Sequence, residues 1–188
     1  MLFVTALLLF GVCLSLIWLE DVRRLEIKLE VLPVLVALSF FIALHIDIAW
    51  QGMLLGGLAW TLPAALYQRL RPSALGLGDI WLFGVAGTFF ALQDALLGAA
   101  LFAFFSVLSA YGYARARGKT FGRSIYPAAM PVVIAMLLVL EWRLIERAAN
   151  SNAHPVLAYA IMALPFVGIL VGAILSAPTL DENENKIR

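Results

Sequence analysis

The stretch Leu2-Phe-Val-Thr-Ala-Leu-Leu-Leu-Phe-Gly-Val-Cys-Leu-Ser-Leu-Ile-Trp-Leu19 holds eighteen residues without a charge and then runs into Glu20-Asp21-Val-Arg-Arg24. An apolar run of roughly 17–25 residues matches the hydrocarbon thickness of a bilayer when coiled as a helix. It starts at Met-Leu-Phe with no basic residues ahead of it, so it reads as a retained helix and not as a cleaved secretory signal. Six more runs of the same kind follow, at about 29–46, 50–67, 77–92, 95–113, 125–141 and 155–177. The fourth is the shortest, because Gln93 and Asp94 close it early. The expected fold is therefore all-α, a polytopic transmembrane helical bundle of six to seven spans.

Composition points the same way. Hydrophobic residues make up 63% of the 188 and charged residues 13%, against about 25% charged in soluble domains. The mean hydropathy is +0.96. Residues 1–177 read as one transmembrane domain and 178–188 as a polar, disordered cytoplasmic tail. The single cysteine, Cys13, lies within the first apolar run, which excludes a disulfide framework and a cysteine metal knuckle. Nothing points to nucleic acid as a partner; the bilayer itself is one.

Basic residues set the expected orientation, since cytoplasmic loops retain Lys and Arg. Arg23, Arg24, Lys28, Arg69, Arg71, Arg115, Arg117, Lys119, Arg123, Lys186 and Arg188 fall on one side, and only Arg143 and Arg147 on the other. The N-terminus is expected outside and the C-terminus in the cytoplasm, as in a multi-pass protein of an inner (plasma) membrane. The stretch 114–123 suits anionic headgroups. His45, His154, Asp47 and Asp94 fall near the outer ends, the two acids as loop residues. Gly52 with Gly56 and Gly168 with Gly172 repeat at a spacing of four, which puts each pair on one helix face for close packing.

Two acids stand at the cytoplasmic side. Asp21 follows the first run in a loop of mixed charge, and Asp79 closes Gly76-Leu77-Gly78-Asp79 at the mouth of the fourth. An ionisable group at such a depth is costly, and its usual reason is function. Two carboxylates sharing one proton can hydrolyse a peptide bond: one takes a proton from water while the other donates to the carbonyl oxygen. Glycines at 76 and 78 would permit a sharp bend and the close approach of a substrate strand. The plainer reading is open for each acid: Asp21 as a solvated loop charge, Asp79 as a helix N-cap. A proton- or cation-coupled transporter also uses membrane acids, but places them at the midplane, within repeats; none is visible here.

Gly76-Leu77-Gly78-Asp79 resembles the signature of the type IV prepilin peptidases, intramembrane aspartic proteases, with Asp21 similar to the family's other catalytic aspartate. Gly87, Ile27 and Tyr126-Pro127-Ala-Ala-Met-Pro131 also match the family pattern. The resemblance covers about 20–140 and suits a short form. It implies Asp21 and Asp79 as catalytic residues, Gly76 and Gly78 at the substrate approach, no cofactor and no metal. The implied substrates are prepilins or pilin-like membrane proteins, of the tight-adherence (Flp) type, whose basic leader is removed at the cytoplasmic face. The cysteine-rich insert of long members is absent, so neither methylation nor zinc is expected. Lys28 and Leu29 stand where the family has Pro and Asn, and Trp81 where it commonly has Lys. These departures leave a second expectation: an inactive relative acting in pilus or secretion assembly. The oligomeric state is not readable from the sequence.

Overall fold

Helices account for all the regular structure in the computed structural model, which describes residues 1–24, 27, 29–71, 75–116, 128–150, 160–161 and 163–169. In chain order they are α1 (Leu2–Arg24), α2 (Val31–His45), α3 (Trp50–Leu70), α4 (Leu77–Phe90), α5 (Ala95–Ala116) and α6 (Ala129–Ala149). A further helical stretch covers 160–161 and 163–169, and no strand occurs among the described residues. The expected all-α class is what forms. Two helices, Leu2–Arg23 and Ala95–Gly112, are long and apolar enough to cross a membrane, while Val31–His45 and Leu77–Phe90 are apolar but shorter. Tyr126, Pro127, Lys28, His154, Gly172, the basic residues of 117–123 and the tail 178–188 lie outside the described residues.

Two helix ends differ from the sequence expectation. α1 does not stop at residue 19 but continues through Asp21 to Arg24, so Asp21 belongs to a helix and not to a loop. α6 likewise passes residue 141 and runs to Ala149, carrying Glu141, Arg143, Glu146 and Arg147. In both cases the helix outlasts its apolar stretch, because Arg and Glu propagate a helix almost as well as Leu.

The helices run antiparallel to their chain neighbours, and named contacts define the two ends. Phe3 at the start of α1 stacks on His45 at the end of α2, with ring centroids 5.4 Å apart. Phe10 of α1 stacks on Phe89 of α4 at 5.1 Å. One end of the bundle thus collects the end of α1 and the starts of α4 and α6; the opposite end collects the ends of α2, α4 and α6. Leu7, Phe10, Leu14, Ile17, Leu35, Ile42, Phe89, Phe90, Met136 and Leu140 fill the space between, each fully buried. Two buried hydroxyls are satisfied inside their own helices, Ser39 donating to Leu35 O at 2.7 Å and Ser15 to Val12 O at 2.9 Å, while the buried Ser106 hydroxyl on α5 has no partner among the described residues.

The tightest seam joins α3 to α4. A methyl group on Gly56 would strike the carbonyl oxygen of Gly87, and one on Gly87 would strike the carbonyl oxygen of Gly56. Glycine is needed here for close approach alone, as in helix pairs built on small residues. Gly11 of α1 and Gly168 of the last stretch meet in the same manner, through the carbonyl oxygens of Pro165 and Leu8. Of the glycines read from the sequence as packing faces, Gly56 and Gly168 sit at such close approaches.

The opposite end is closed by a charged clamp. Arg143, 5% exposed, donates from Nε to Asp94 at 2.6 Å and from its two terminal nitrogens to Phe89 O at 2.8 Å and Phe90 O at 2.6 Å. It thereby satisfies carbonyls that the last turn of α4 leaves open. Arg147 adds an exposed pair with Asp47 at 2.8 Å.

Candidate functional site

Asp21 sits in the last turn of α1 and is 4% exposed. Its Oδ2 accepts the main-chain N–H of Ala129 at 2.6 Å, a bond that spans 108 residues of sequence. Ala129 is the first residue of α6, whose own N-cap is Ala128 and whose first turn holds no acid. The carboxylate of α1 therefore stands where α6 lacks a cap, at the positive end of that helix's dipole.

Asp79 lies in the first turn of α4, three residues after the N-cap Gly76. It is not the cap itself: its Oδ2 accepts the Gly76 N–H at 2.8 Å, the reach-back half of a capping box. Gly76 has φ −76° and ψ 160°, an extended conformation open to any residue, so no sharp bend requires glycine there. Gly76 is exposed beside Asp79, and a side chain at 76 would begin 3.4 Å from the Asp79 Oδ2. Gly78 is approached by the chain itself: a Cβ there would lie 2.9 Å from the Ile27 Cβ.

The fold brings the two acids together. Asp21 closes α1 and Asp79 opens α4, 58 positions later in sequence, and the two ends lie side by side, since Gly78 packs against Ile27 just past α1. Each keeps one carboxylate oxygen on a main-chain N–H, and the second oxygen of each has no hydrogen-bond partner among the described residues. Two like charges in a poorly hydrated place favour holding a single proton between them. An arrangement of that kind can activate water and protonate a carbonyl in one step. Among the described residues, no three His, Cys, Asp or Glu are grouped to hold a metal ion.

Other groups at this end were not singled out in the sequence. The indole N–H of Trp18, one turn before Asp21, is buried with no partner among the described residues. The Ala129 N–H was equally silent, although an uncapped helix start at Ala128–Ala129 was a signal that a donor there needed an acceptor from elsewhere. Trp81 and Leu29 are exposed, at 57% and 45%. Position 81 is turned about 200° around the helix from 79, so its side chain leaves the bundle on the other side of α4. A cation there would not reach the acids directly.

Arg143 and its partners lie at the end of α4 away from Asp79, so Asp94, read as a loop acid, is a buried clamp's counter-ion and no part of this site. No family model, curated protein or solved structure matches the chain.

Proposed function

We propose that the chain is a multi-pass inner-membrane aspartic endopeptidase that removes the basic leader of Flp-type prepilins at the cytoplasmic face. The observation that carries the reading is the placement of Asp21 and Asp79 at one end of the bundle, each anchored by a main-chain N–H. The membrane part rests on Leu2–Arg23 and on Ala95–Gly112, the latter only 6% buried despite its apolar sequence. So bare an apolar helix calls for an apolar cover, and its length suits lipid. Leu54, Leu55, Leu58, Leu62 and Leu66 give α3 a similar bare face. The excess of Arg and Lys that the sequence assigns to the Asp21 side supports a cytoplasmic position for that end.

In the proposed reaction one carboxylate is ionised and the other protonated. The ionised member takes a proton from a water molecule as its oxygen attacks the scissile carbonyl, and the protonated member gives its proton to the carbonyl oxygen. The tetrahedral diol then collapses: the C–N bond breaks, the nitrogen accepts a proton from the acid that received it from water, and a diol hydroxyl returns its proton to the other. The leader leaves with a new carboxyl group and the pilin with a free amine. The N–H bonds from Ala129 and Gly76 hold both carboxylates in place throughout, as preorganised sites require.

Co-expression with a Flp-type prepilin, read by gel mobility and N-terminal sequencing, tests this. Leader removal by wild type and not by Asp79→Asn supports the peptidase. Intact leaders across several prepilins, with both proteins in the membrane, support instead the inactive relative that the Lys28 and Leu29 departures suggest.

A further inference from the structure

At the end of the bundle away from Asp79, a polar pocket of about 290 Å³ opens between the end of α6 and the loops that follow α2 and α4. Arg143, Glu146, Arg147 and Asn150 line it from α6, Asp47 from the first loop and Gln93 from the second. Each loop holds a non-glycine residue in the left-handed region, Asp47 at φ 61° and Ala91 at φ 52°. Such backbone persists only where its surroundings hold it, and it gathers at ligand clamps. The exposed pair of Arg147 with Asp47 is too weak a contact to account for it. Arg143 and Arg147 also stand four residues apart on one face of α6, where like charges repel. The Arg143 guanidinium spends Nε and Nη2 on Asp94 and Phe90 O and one hydrogen of Nη1 on Phe89 O. The other Nη1 hydrogen has no partner among the described residues.

We propose that this pocket binds a phosphoethanolamine group, the zwitterionic head of a membrane lipid. A lone anion would meet the carboxylates of Asp47 and Glu146, and a lone cation the two guanidiniums. A metal ion finds no set of three acids or histidines among the described residues. A zwitterion answers both signs. Its phosphate bridges Arg143 and Arg147, whose forked donors suit phosphate oxygens. Its ammonium donates to Glu146 and to the Asp47 carboxylate that Arg147 releases; a choline head has no N–H to give. At about 290 Å³ the pocket is at the lower edge of small-molecule sites, room for a headgroup and not for its tails. The tails have their own surface. Leu92 precedes Gln93, and Trp142 and Ile145 lie within about one turn of Glu146 on α6, all three exposed. A charged pocket bordered by bare apolar side chains matches an amphipathic ligand. This inference rests on the membrane part of the reading above and not on the two acids.

The test purifies the full chain in detergent and follows lipid adducts by native mass spectrometry. Phosphatidylethanolamine, phosphatidylcholine and phosphatidylglycerol of equal chain length are titrated in turn. Arg147→Gln and Glu146→Gln, both at exposed positions, remove one charge of each sign and leave the Arg143 clamp intact. Arg115→Gln, at the opposite end of the bundle, is the control. The expected result is phosphatidylethanolamine bound about tenfold more tightly than the other two, a loss of about that factor in each pocket variant, and no loss in Arg115→Gln. Soluble glycerophosphoethanolamine should compete only at far higher concentration, and competition as strong as that of the lipid overturns the lipid as the source of the group. Equal binding of the three lipids, preference for phosphatidylglycerol, or unchanged binding by both pocket variants overturns the site. Recovery of the chain in the soluble fraction of cells overturns the membrane reading and this ligand with it.

Discussion

The N–H of Ala129 donates to the carboxylate of Asp21 at 2.6 Å, so the residue that begins α6 is held by the residue that ends α1. One side chain thus serves both as the cap of a distant helix and as half of a pair of acids, and substitution can separate these roles. Asn keeps an oxygen for the N–H but cannot supply or remove a proton as a carboxyl does. Asp21→Asn and Asp79→Asn are therefore expected to lower leader processing by about 100-fold or more, with melting temperature in detergent little changed. Asp21→Leu leaves the buried N–H unpaired and should cost about 1–3 kcal/mol of stability as well. Equal melting of the Asn and Leu variants would contradict the capping role.

The α3–α4 seam makes a second prediction. Gly87→Val forces the two helices apart at the Gly56 carbonyl and should destabilise by about 1–3 kcal/mol. Gly112→Ala, where an added Cβ meets nothing within 4 Å, should be neutral or gain up to about 1 kcal/mol from helix propensity. Thermal unfolding of the two variants side by side checks the contrast.

Arg143→Met would leave Asp94 and the Phe89 and Phe90 carbonyls without their shared donor. The expected loss is about 3–5 kcal/mol, because an unpaired acid remains. Adding Asp94→Asn should recover part of it, so the double variant is less destabilised than the sum of the two singles. Strict additivity would mean that the pair does not act as a unit.

Trp81→Lys tests the departure from the family pattern. Since Trp81 is 57% exposed and turned from the acids, restoring a lysine should leave processing within about twofold of wild type. A large gain would show that a cation at 81 reaches the site, against the orientation of α4.

Much of this architecture is written locally, and those parts were legible. The uncharged run 2–19 and the bare run 95–113 both form helices, because apolarity and good helix formers coincide along their length. The placement of Asp21 and Asp79 at one end followed from counting runs and turns of the chain. What could not be read was anything carried by a pairing across distant sequence. Arg143 served in the sequence only as a marker of sidedness, although its contacts close the end of α4. Asp94 gave no sign of its partner 49 residues away. The ends of α1 and α6 were misplaced because charged residues end an apolar pattern without ending a helix. Gly76 was read as permitting a sharp bend, but its φ and ψ are ordinary and an added Cβ would only come into contact with Asp79 at 3.4 Å, so neither conformation nor space demands glycine there.

The clamp at Arg143 and the glycine seam also bear on how such a chain can change over generations. Eight of the fourteen residues of α4 are buried, and its end is pinned by a guanidinium, so few of its positions are free to vary. α5, by contrast, is asked for little more than greasiness over most of its length. A lineage built this way can rewrite its outer helices almost at will while α4 stands still. Distant cousins would then share a short island around Gly76–Phe90, the few residues that grip it, such as Gly56 and Arg143, and Asp21 beside it, and little else.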